Sequence, residues 1–351
     1  SVPGRVNLIG DHTDYTGGLV MPMTLDARTT VTGQVNTSRV WNLVSHDEAD
    51  SLSIALPIED PSSMQPRWGR YVAGVLFELK QLGIEVPGFT GEISTTIPIG
   101  SGLSSSAALE IAIARTALSV ANVVLPDTDI ALLCQRAEHI ASGVPCGIMD
   151  QLCIAVGQPN TATLIDCHTL NIQHIAMPAE IEVVTRFISH RTLAGSEYSD
   201  RVADCRHIEE LIGPLRLANL DDAEQISDQR LFHRARHVIS ENHRVREFAS
   251  ALSKKDFHTA GELMLASHES LTNDYETSNP TMDQAVKTMM SEPGFLGARI
   301  TGGGFGGCTI NIIKKSEVQA IIHQVAEVYA QQTAHTLKVH QVKIAQGTHI
   351  K

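Results

Sequence analysis

The sequence predicts an α+β protein built from two domains. At 351 residues the chain is long for a single hydrophobic core, and chains of this length usually divide. Strand-like and helix-like segments follow one another without the strict alternation of a doubly wound sheet. We expect the first domain to span residues 1–185 and the second to span residues 186–351, with the boundary after the region of Pro178.

Hydrophobic periodicity and chain breakers give the elements in order. The predicted strands span residues 29–35, 93–97, 162–166, 298–301, 309–313 and 337–344. The predicted helices span residues 103–121, 127–142, 232–252 and 316–333. For the second helix, Asp127 or Thr128 is the expected N-cap, and Gly143 follows its end.

Composition and charge exclude several classes of protein. Hydrophobic residues make up 42% and charged residues 19% of the chain, which is an ordinary globular composition. The net charge of −12 argues against nucleic acid or an anionic membrane as the main partner. The six cysteines form no CxxC pair, which argues against a metal cluster or a disulfide framework and fits a reducing cytoplasm. We expect no membrane span and no signal peptide.

A run of glycines stands at residues 302–307, where five of the six residues are glycine. Such a run is costly in backbone entropy, so it indicates positive φ angles or a close approach of the backbone to another group. It lies between two β-branched, apolar stretches rather than in a polar linker. A ligand-contacting loop is the sharper interpretation, and a flexible hairpin is the alternative.

A second glycine-containing loop lies at residues 98–107. Gly100 and Gly102 allow a tight turn, and Ser104, Ser105 and Ser106 then open a helix. A helix N-terminus offers unpaired N–H groups to a phosphate, and serine oxygens can bind Mg²⁺. The loop is not a Walker A sequence, because it lacks the required lysine. A plain turn with a serine cap is the alternative.

The N-terminal segment, residues 3–15, is an apolar strand that runs into a polar cluster. The cluster contains Asp11, His12, Thr13 and Asp14, followed by a tyrosine. Carboxylates and an imidazole placed together can accept from and donate to sugar hydroxyls. The alternative is a polar turn in which these side chains only cap the backbone.

A carboxylate in an apolar setting follows the helix that carries Glu138. Asp150 lies in the stretch 143–151 and is costly there unless it is paired. A partner such as Arg5 would keep it ionised, ready to accept a hydroxyl proton or to orient a nucleophile. The alternative is an N-cap for the next helix.

Together these segments resemble the GHMP kinase superfamily and, within it, the galactokinase family. The similar segments are the N-terminal signature at 3–15, the loop at 98–107, the stretch 146–151, the residues 195–198 and the glycine-rich segment 297–307. They occur in the family's order and cover nearly the whole chain. The signature at 3–15 is the segment that separates galactokinases from other members.

The resemblance implies a fold, a reaction and a set of site residues. The fold would have an N-terminal domain of the ribosomal protein S5 domain 2-like type and a C-terminal ferredoxin-like sandwich, with the active site in the cleft between them. The reaction would be phosphorylation of α-D-galactose at C1 by ATP with Mg²⁺. The protein would be cytoplasmic, and a monomer is favoured over an oligomer. Residues with implied roles are the catalytic Asp150 and Arg5; the sugar contacts Asp11, His12, Thr13, Asp14, Gly147 and Tyr198; the ATP loop Gly100, Ser101, Gly102, Leu103, Ser104, Ser105 and Ser106; the Mg²⁺ ligands Ser106 and Glu138; and the glycines Gly302, Gly303, Gly304, Gly306 and Gly307.

Some positions depart from the family pattern and keep two alternatives open. Asp11 stands where the signature usually has Glu, at a position expected to meet the sugar's C6 hydroxyl. A related sugar 1-kinase, for arabinose, an amino sugar or a uronic acid, therefore stays open. Further departures are Pro145, Ser199 and Asn279. The other alternative is a sugar sensor without catalysis, but the intact Ser104–Ser106 segment, Glu138 and Asp150 disfavour it.

Overall fold

The N-terminal half is built on a mostly antiparallel five-stranded sheet. In the computed structural model, which describes residues 1–189, 196–321 and 339–341, the first eight strands are numbered in chain order. Strands β1 to β8 are Val2–Asn7, Leu19–Val20, Pro22–Val35, Val40–Ser45, Leu52–Ala55, Phe89–Thr95, Thr161–Asp166 and Asn171–Ala176. The five-stranded sheet has the order β1-β3-β6-β4-β5, and its β4–β6 pair is parallel. A smaller sheet has the order β2-β7-β8.

Four helices pack against these strands and carry much of the site. Helices α1 to α4 are Gly69–Gln81, Ser105–Val120, Asp127–Ser142 and Met149–Val156. Helix α2 is rich in alanine, leucine and isoleucine and is buried along most of its length, because small side chains let it pack closely on several neighbours. In the core beneath the sheet, the rings of Trp41 and Phe89 lie 4.9 Å apart between centroids. Contacts of α2 with β1, β3 and the other three helices hold this helix in place.

The described residues of the C-terminal half form an antiparallel sheet and five complete helices. Strands β9 to β12 are Ile181–Ser189, Phe295–Ile300, Gly307–Lys314 and Val339–Gln341, in the order β10-β11-β9-β12. Helices α5 to α9 are Ser196–Ile212, Leu220–Ala223, Gln229–Ser253, Phe257–Asn273 and Pro280–Met290. The predicted domain boundary at residue 185 falls inside β9 and stays a prediction. The described ladder partners of β9 are β11 and β12, both from the C-terminal half.

The predicted α+β class is confirmed, and α2, α3 and α7 lie where the sequence predicts helices, whereas α1, α5, α6, α8 and α9 have no predicted counterpart. Helix α3 has the predicted bounds, and α2 and α7 begin within three residues of theirs. The predicted cap of α3 is wrong, because Asp127 is the first helical residue and Pro126 takes the cap position. Most of the predicted helix 316–333 lies outside the described residues, and of the predicted strand 337–344 the structure describes β12. Within the part of the chain that the structure describes, no helix is both long and apolar enough to span a membrane.

Candidate active site

A cavity of about 560 Å³ lies where the two halves meet. Residues from both halves line it, so neither half completes the site alone. The N-terminal half contributes the end of β1, the loop before α2, and helices α3 and α4. The lining side chains that the sequence predicts are Arg5, Asp11, His12, Asp14, Ser104, Ser105, Ser106, Glu138, Asp150 and Tyr198. The glycines Gly100, Gly102, Gly147, Gly302 and Gly303 also line it.

Arg5 and Asp150 form a bidentate ion pair in this cavity. Arg5 Nε donates to Asp150 Oδ1 at 2.7 Å, and Arg5 Nη2 donates to Asp150 Oδ2 at 2.6 Å. The Arg5 side chain is 5% exposed, whereas that of Asp150 is 28% exposed, so the carboxylate faces the cavity. Burial alone would lower the pKa of Arg5, but the Asp150 carboxylate raises it above its usual value. The predicted pair is therefore present, with the arginine as its permanently charged member.

The loop before α2 is tied to the same ion pair. Arg5 Nη1 donates to the Gly102 carbonyl at 2.7 Å, and the Arg5 amide donates to the Leu103 carbonyl at 3.3 Å. Ser104 adopts a left-handed backbone with φ of 59°, and its hydroxyl donates to Asp150. Helix α2 begins at Ser105, so its unpaired N–H groups open beside Asp150. The arrangement places an anion-binding helix end next to a fixed carboxylate.

Ser106 and Glu138 meet at the side of this helix end. Their side chains lie in hydrogen-bond contact, and Glu138 also approaches the carboxyl group of Glu110 on α2. Burial raises the pKa of Glu138 and raises that of the fully buried Glu110 further. Glu110 Oε1 has no donor among the described residues, so two carboxyl groups lie together where a proton or a cation is needed.

This oxygen-only group fits a magnesium ion. Mg²⁺ prefers one or two carboxylate or hydroxyl ligands and completes its shell with water and substrate phosphates. Among the described residues there is no group of three or more His, Cys, Asp and Glu side chains that could hold a metal. An ion bound by Ser106 and Glu138 would thus need further oxygens from the nucleotide.

The polar cluster after β1 forms the other end of the cavity. His12 packs between aromatic rings, with centroid distances of 5.4 Å to Tyr198 and 4.9 Å to Tyr275. Asp14 accepts backbone hydrogen bonds from Tyr15 and Met149, but burial, together with the nearby Asp150 charge, raises its pKa to about 7. An acceptor, an imidazole and the phenol of Tyr198 therefore converge in one place, as sugar recognition requires.

Gly147 is required there by close packing against Asp14. A Cβ added at Gly147 would lie 2.1 Å from Asp14 Oδ2, so any side chain would displace the carboxylate. The absence of a side chain at Gly147 leaves room for the Asp14 carboxylate beside the start of α4.

Asp11 lines the cavity, yet its carboxylate is engaged with other protein groups. Asn7 Nδ2 donates to Asp11 Oδ1 at 2.7 Å, and Arg299 donates to Asp11 Oδ2. Arg299 also donates to the Leu8 carbonyl at 2.9 Å. Both members of the ion pair are buried, at 1% and 0% exposure. Asp11 thus joins the N-terminal signature to β10.

Other predicted residues lie behind the cavity wall. The hydroxyl of Thr13 donates to the Gly10 and Leu19 carbonyls, and Thr13 is fully buried. Ser101 is buried with its hydroxyl donating to the Pro98 carbonyl, and Leu103 packs in the core. These residues shape the two loops, because their polar or apolar groups are used inside the fold.

The glycine run divides into a lining part and a packing part. Gly302 and Gly303 line the cavity. A Cβ at Gly304 would lie 2.4 Å from the Thr277 carbonyl, which also accepts from the Phe305 amide at 2.7 Å. Phe305 itself contacts Arg201 in a cation–π geometry. The second half of the run, including Gly306 and Gly307, turns the chain into β11.

Sequence reasoning missed one wall of the cavity. That wall is formed by Ser45, Asp47, Trp68, Tyr71 and Ile99. Trp68 and Tyr71 flank the start of α1 and are half-buried beside the loop at 98–107. A signal was available, since Trp68 is one of only two tryptophans in the chain. Flat aromatic and apolar groups beside a phosphate-binding loop suit a nucleotide base.

Comparison with known families agrees with this fold. The model for the GHMP kinases N-terminal domain matches residues 70–158, and the model for the GHMP kinases C-terminal domain matches residues 248–331. The galactokinase galactose-binding signature matches residues 1–35. The structure superposes on Methanococcus jannaschii mevalonate kinase with a TM-score of 0.73 at 20% identity, over 98% of this chain and 97% of that one. The molecule is thus a two-domain GHMP kinase.

Relatives with higher sequence identity show to which family within the GHMP kinases the chain belongs. A galactokinase of Canis lupus familiaris is 38% identical over 94% of this chain and 87% of its own length, and one of Chloroflexus aurantiacus is 39% identical over 96% and 89%. The crystal structure of Lactococcus lactis galactokinase complexed with galactose matches with a TM-score of 0.92 at 31% identity, covering 99% of this chain and 93% of that one. The chain belongs to the galactokinase family.

Proposed function

We propose that the protein transfers the γ-phosphoryl group of ATP to the anomeric (C1) hydroxyl of α-D-galactose. The products are galactose 1-phosphate and ADP, and the reaction is the first committed step of galactose catabolism by the Leloir pathway. The observation that carries the proposal is the Arg5–Asp150 pair, which stands between the N-terminus of α2 and the polar cluster of the sugar signature.

Asp150 is the group placed to act on the sugar hydroxyl. Its carboxylate faces the cavity and accepts two hydrogen bonds from Arg5 and one from Ser104. It accepts the proton of the C1 hydroxyl, or holds that hydroxyl in line, while the oxygen bonds to the γ-phosphorus and the bond from phosphorus to the ADP oxygen breaks. Arg5 keeps the carboxylate ionised and offsets charge near the transferring group.

The phosphate end uses backbone groups and oxygen ligands. The amides of residues 100–106 and the first turn of α2 bind the ATP phosphates, and the aromatic wall at Trp68 and Tyr71 receives the base. Ser106 and Glu138 would hold Mg²⁺, and the ion would neutralise charge on the phosphate oxygens. Phosphoryl transfer depends mainly on positioning and charge neutralisation, and these groups are placed to supply both.

The sugar end recognises hydroxyls through Asp14, His12 and Tyr198. Asp11 supports this end from below, since its oxygens are bonded to Asn7 and Arg299. Because both Asp11 oxygens are bonded within the protein, the C6 hydroxyl loses its expected partner. Among the alternative kinases, this favours one for a sugar without a C6 hydroxyl, such as arabinopyranose. A cytoplasmic location and a monomeric state remain predictions of the sequence.

A panel of sugars with Mg·ATP tests the proposal. Purified protein is incubated with galactose, arabinose, galactosamine and galacturonate, ADP release is followed by a coupled assay, and the product is identified by phosphorus NMR. We expect galactose to have the highest kcat/KM and to yield the α-1-phosphate. Turnover of another sugar without galactose would establish the alternative kinase, and absence of ADP release with every sugar would favour a sensor.

A further inference from the structure

A line of hydrogen-bonded side chains runs from the sugar end of the cavity into the C-terminal half. His12 Nδ1 lies 3.0 Å from Tyr15 Oη, Tyr15 Oη lies 2.6 Å from Tyr275 Oη, and Tyr275 Oη lies 3.2 Å from Cys205 Sγ. His12 is the cavity-lining member, and Cys205 lies on α5. The line therefore connects a sugar-binding residue to the C-terminal core.

The surroundings hold this line in one arrangement. Tyr275 is 0% exposed, and its ring packs against His12 at 4.9 Å and His237 at 4.5 Å between centroids. The guanidinium of Arg234 also lies over the Tyr275 ring, 5.3 Å from its centroid. With both phenols packed among rings, neither hydroxyl can leave the line without losing these contacts.

Each hydroxyl in the line carries a single proton, so the donors must follow one another in order. A phenol is a far stronger acid than a neutral imidazole N–H, and an imidazole nitrogen is a far stronger base than a phenol oxygen. Tyr15 is therefore the donor to His12 Nδ1, which leaves the Tyr15 oxygen to accept from Tyr275. Burial raises the pKa of Tyr15 and Tyr275 well above their usual value and that of Cys205 to about 12, so all three groups keep their protons at neutral pH.

We propose that Tyr15 and Tyr275 are positioning residues that fix the tautomer of His12, with Nδ1 as the acceptor and the proton on Nε2. A neutral imidazole whose Nδ1 accepts must carry its proton on Nε2. His12 then presents a hydrogen-bond donor at the sugar end, where Asp14 is an acceptor. This inference rests on the proposed sugar kinase for its meaning, and on the hydrogen-bonded line alone for its structure.

Asp14 and His12 together determine which kind of substrate group can bind at this end of the cavity. A hydroxyl that meets both must donate to Asp14 and accept from His12. If Nδ1 carried the proton instead, His12 would compete with Asp14 for the same hydroxyl proton. The fixed tautomer therefore makes the pair selective for a group that both donates and accepts.

The test is a long-range nitrogen–proton NMR spectrum of protein labelled with ¹⁵N-histidine, recorded without substrate at about pH 8, where an unperturbed imidazole is neutral. The chain has 16 histidines, so the signals of His12 are assigned by their loss in His12→Gln. We expect the pattern of a proton on Nε2 in the wild type. In Tyr15→Phe we expect a mixture of tautomers, whereas Tyr71→Phe, at another tyrosine of the cavity, should leave the His12 pattern unchanged.

Kinetics provide the second measurement. Loss of one hydrogen bond to His12 should raise the KM for the sugar about two- to tenfold in Tyr15→Phe, with the KM for ATP unchanged. Tyr275→Phe keeps the donor to His12 and should show a smaller rise.

A proton on Nδ1 in the wild type, or an unchanged His12 pattern in Tyr15→Phe, would overturn the inference. If Tyr15→Phe does not fold, the wild-type spectrum still decides. Because the spectra need no substrate, failure of galactose as a substrate would refute the proposed function and leave this result standing.

Discussion

Arg5 binds both oxygens of the Asp150 carboxylate, with its Nε at 2.7 Å from one and its Nη2 at 2.6 Å from the other. Its third nitrogen, Nη1, donates to the Gly102 carbonyl. One side chain thus connects the carboxylate on α4 to the loop before α2. The position of the Asp150 carboxylate relative to this loop is thereby set by a rigid, planar group. The account of catalysis depends on this relationship.

Replacing Arg5 with Lys should lower kcat by roughly 10²- to 10³-fold, the loss typical of one transition-state contact. A lysine keeps the charge but cannot bind both oxygens and the Gly102 carbonyl together. Steady-state kinetics would show the loss in kcat with little change in the KM for sugar. Arg39→Lys is the matched control, since Arg39 forms an exposed pair with Glu85 and should behave as wild type. Equal kcat values for the two variants would contradict this role of Arg5.

Gly147→Ala should weaken sugar binding, because its methyl group would collide with the Asp14 carboxylate. We expect the KM for galactose to rise at least tenfold, a cost of about 1.4 kcal/mol, while the KM for ATP stays near its wild-type value. Gly83→Ala is the control: the space around Gly83 is open, and its φ of +74° limits the effect to stability. A galactose KM unchanged in Gly147→Ala would mean that Asp14 does not contact the sugar.

The residues show which parts of this site a sequence can predict. Arg5 and Asp150 are predictable as a pair, because a carboxylate in an apolar stretch of sequence needs a cation beside it. The N-terminus of α2 is predictable, because glycines and serines precede a long apolar run. The end of α3 is also predictable, because Gly143 follows its last residue and takes a left-handed conformation.

Other features depend on tertiary contacts that leave no local pattern. Asp11 reads like a sugar ligand within its polar cluster, but Arg299, almost 300 positions later, binds its carboxylate. Glu110 reads as one polar residue in an apolar helix, and only the fold brings it to Glu138. Tyr275 follows the C-cap of α8, and its contact with Tyr15 appears only when the two halves meet.

The galactose KM should depend on pH through Asp14. With a pKa of about 7 in the folded protein, Asp14 is protonated below neutrality and becomes the better acceptor above it. We expect the KM for galactose to fall as the pH rises through about 7 in the wild type. In Asp14→Asn, which stays neutral, the KM should be higher at pH 8 and its change across this window should be lost. A similar pH profile in both proteins would assign the titration to another group.

The ionisation of Asp14 should also change the free energy of unfolding in a predictable direction. Between about pH 4 and 7 the folded protein retains a proton on Asp14 that the unfolded chain has released. The free energy of unfolding should therefore fall as the pH rises through this window, by more in the wild type than in Asp14→Asn. Urea unfolding at several pH values measures the difference between the two proteins. An equal slope would show that Asp14 is not perturbed in the folded state.

Arg299→Met should destabilise the protein by about 3–5 kcal/mol, because it leaves the Asp11 carboxylate buried without its cation. Adding Asp11→Ala to this variant should restore part of the loss, since the uncompensated charge is then removed. Urea denaturation of the two single variants and the double variant gives the coupling between the residues. Additive losses would show that the pair makes no net contribution.

The most direct measurement is the comparison of turnover and sugar binding in Asp150→Ala. Galactose affinity is measured by calorimetry, and product formation is followed in single turnovers with excess enzyme. We predict that turnover is abolished while the affinity for galactose falls only modestly, because the sugar is held mainly by the groups at the other end of the cavity. Near-normal turnover in Asp150→Ala would contradict the assignment of Asp150 and with it the proposed mechanism.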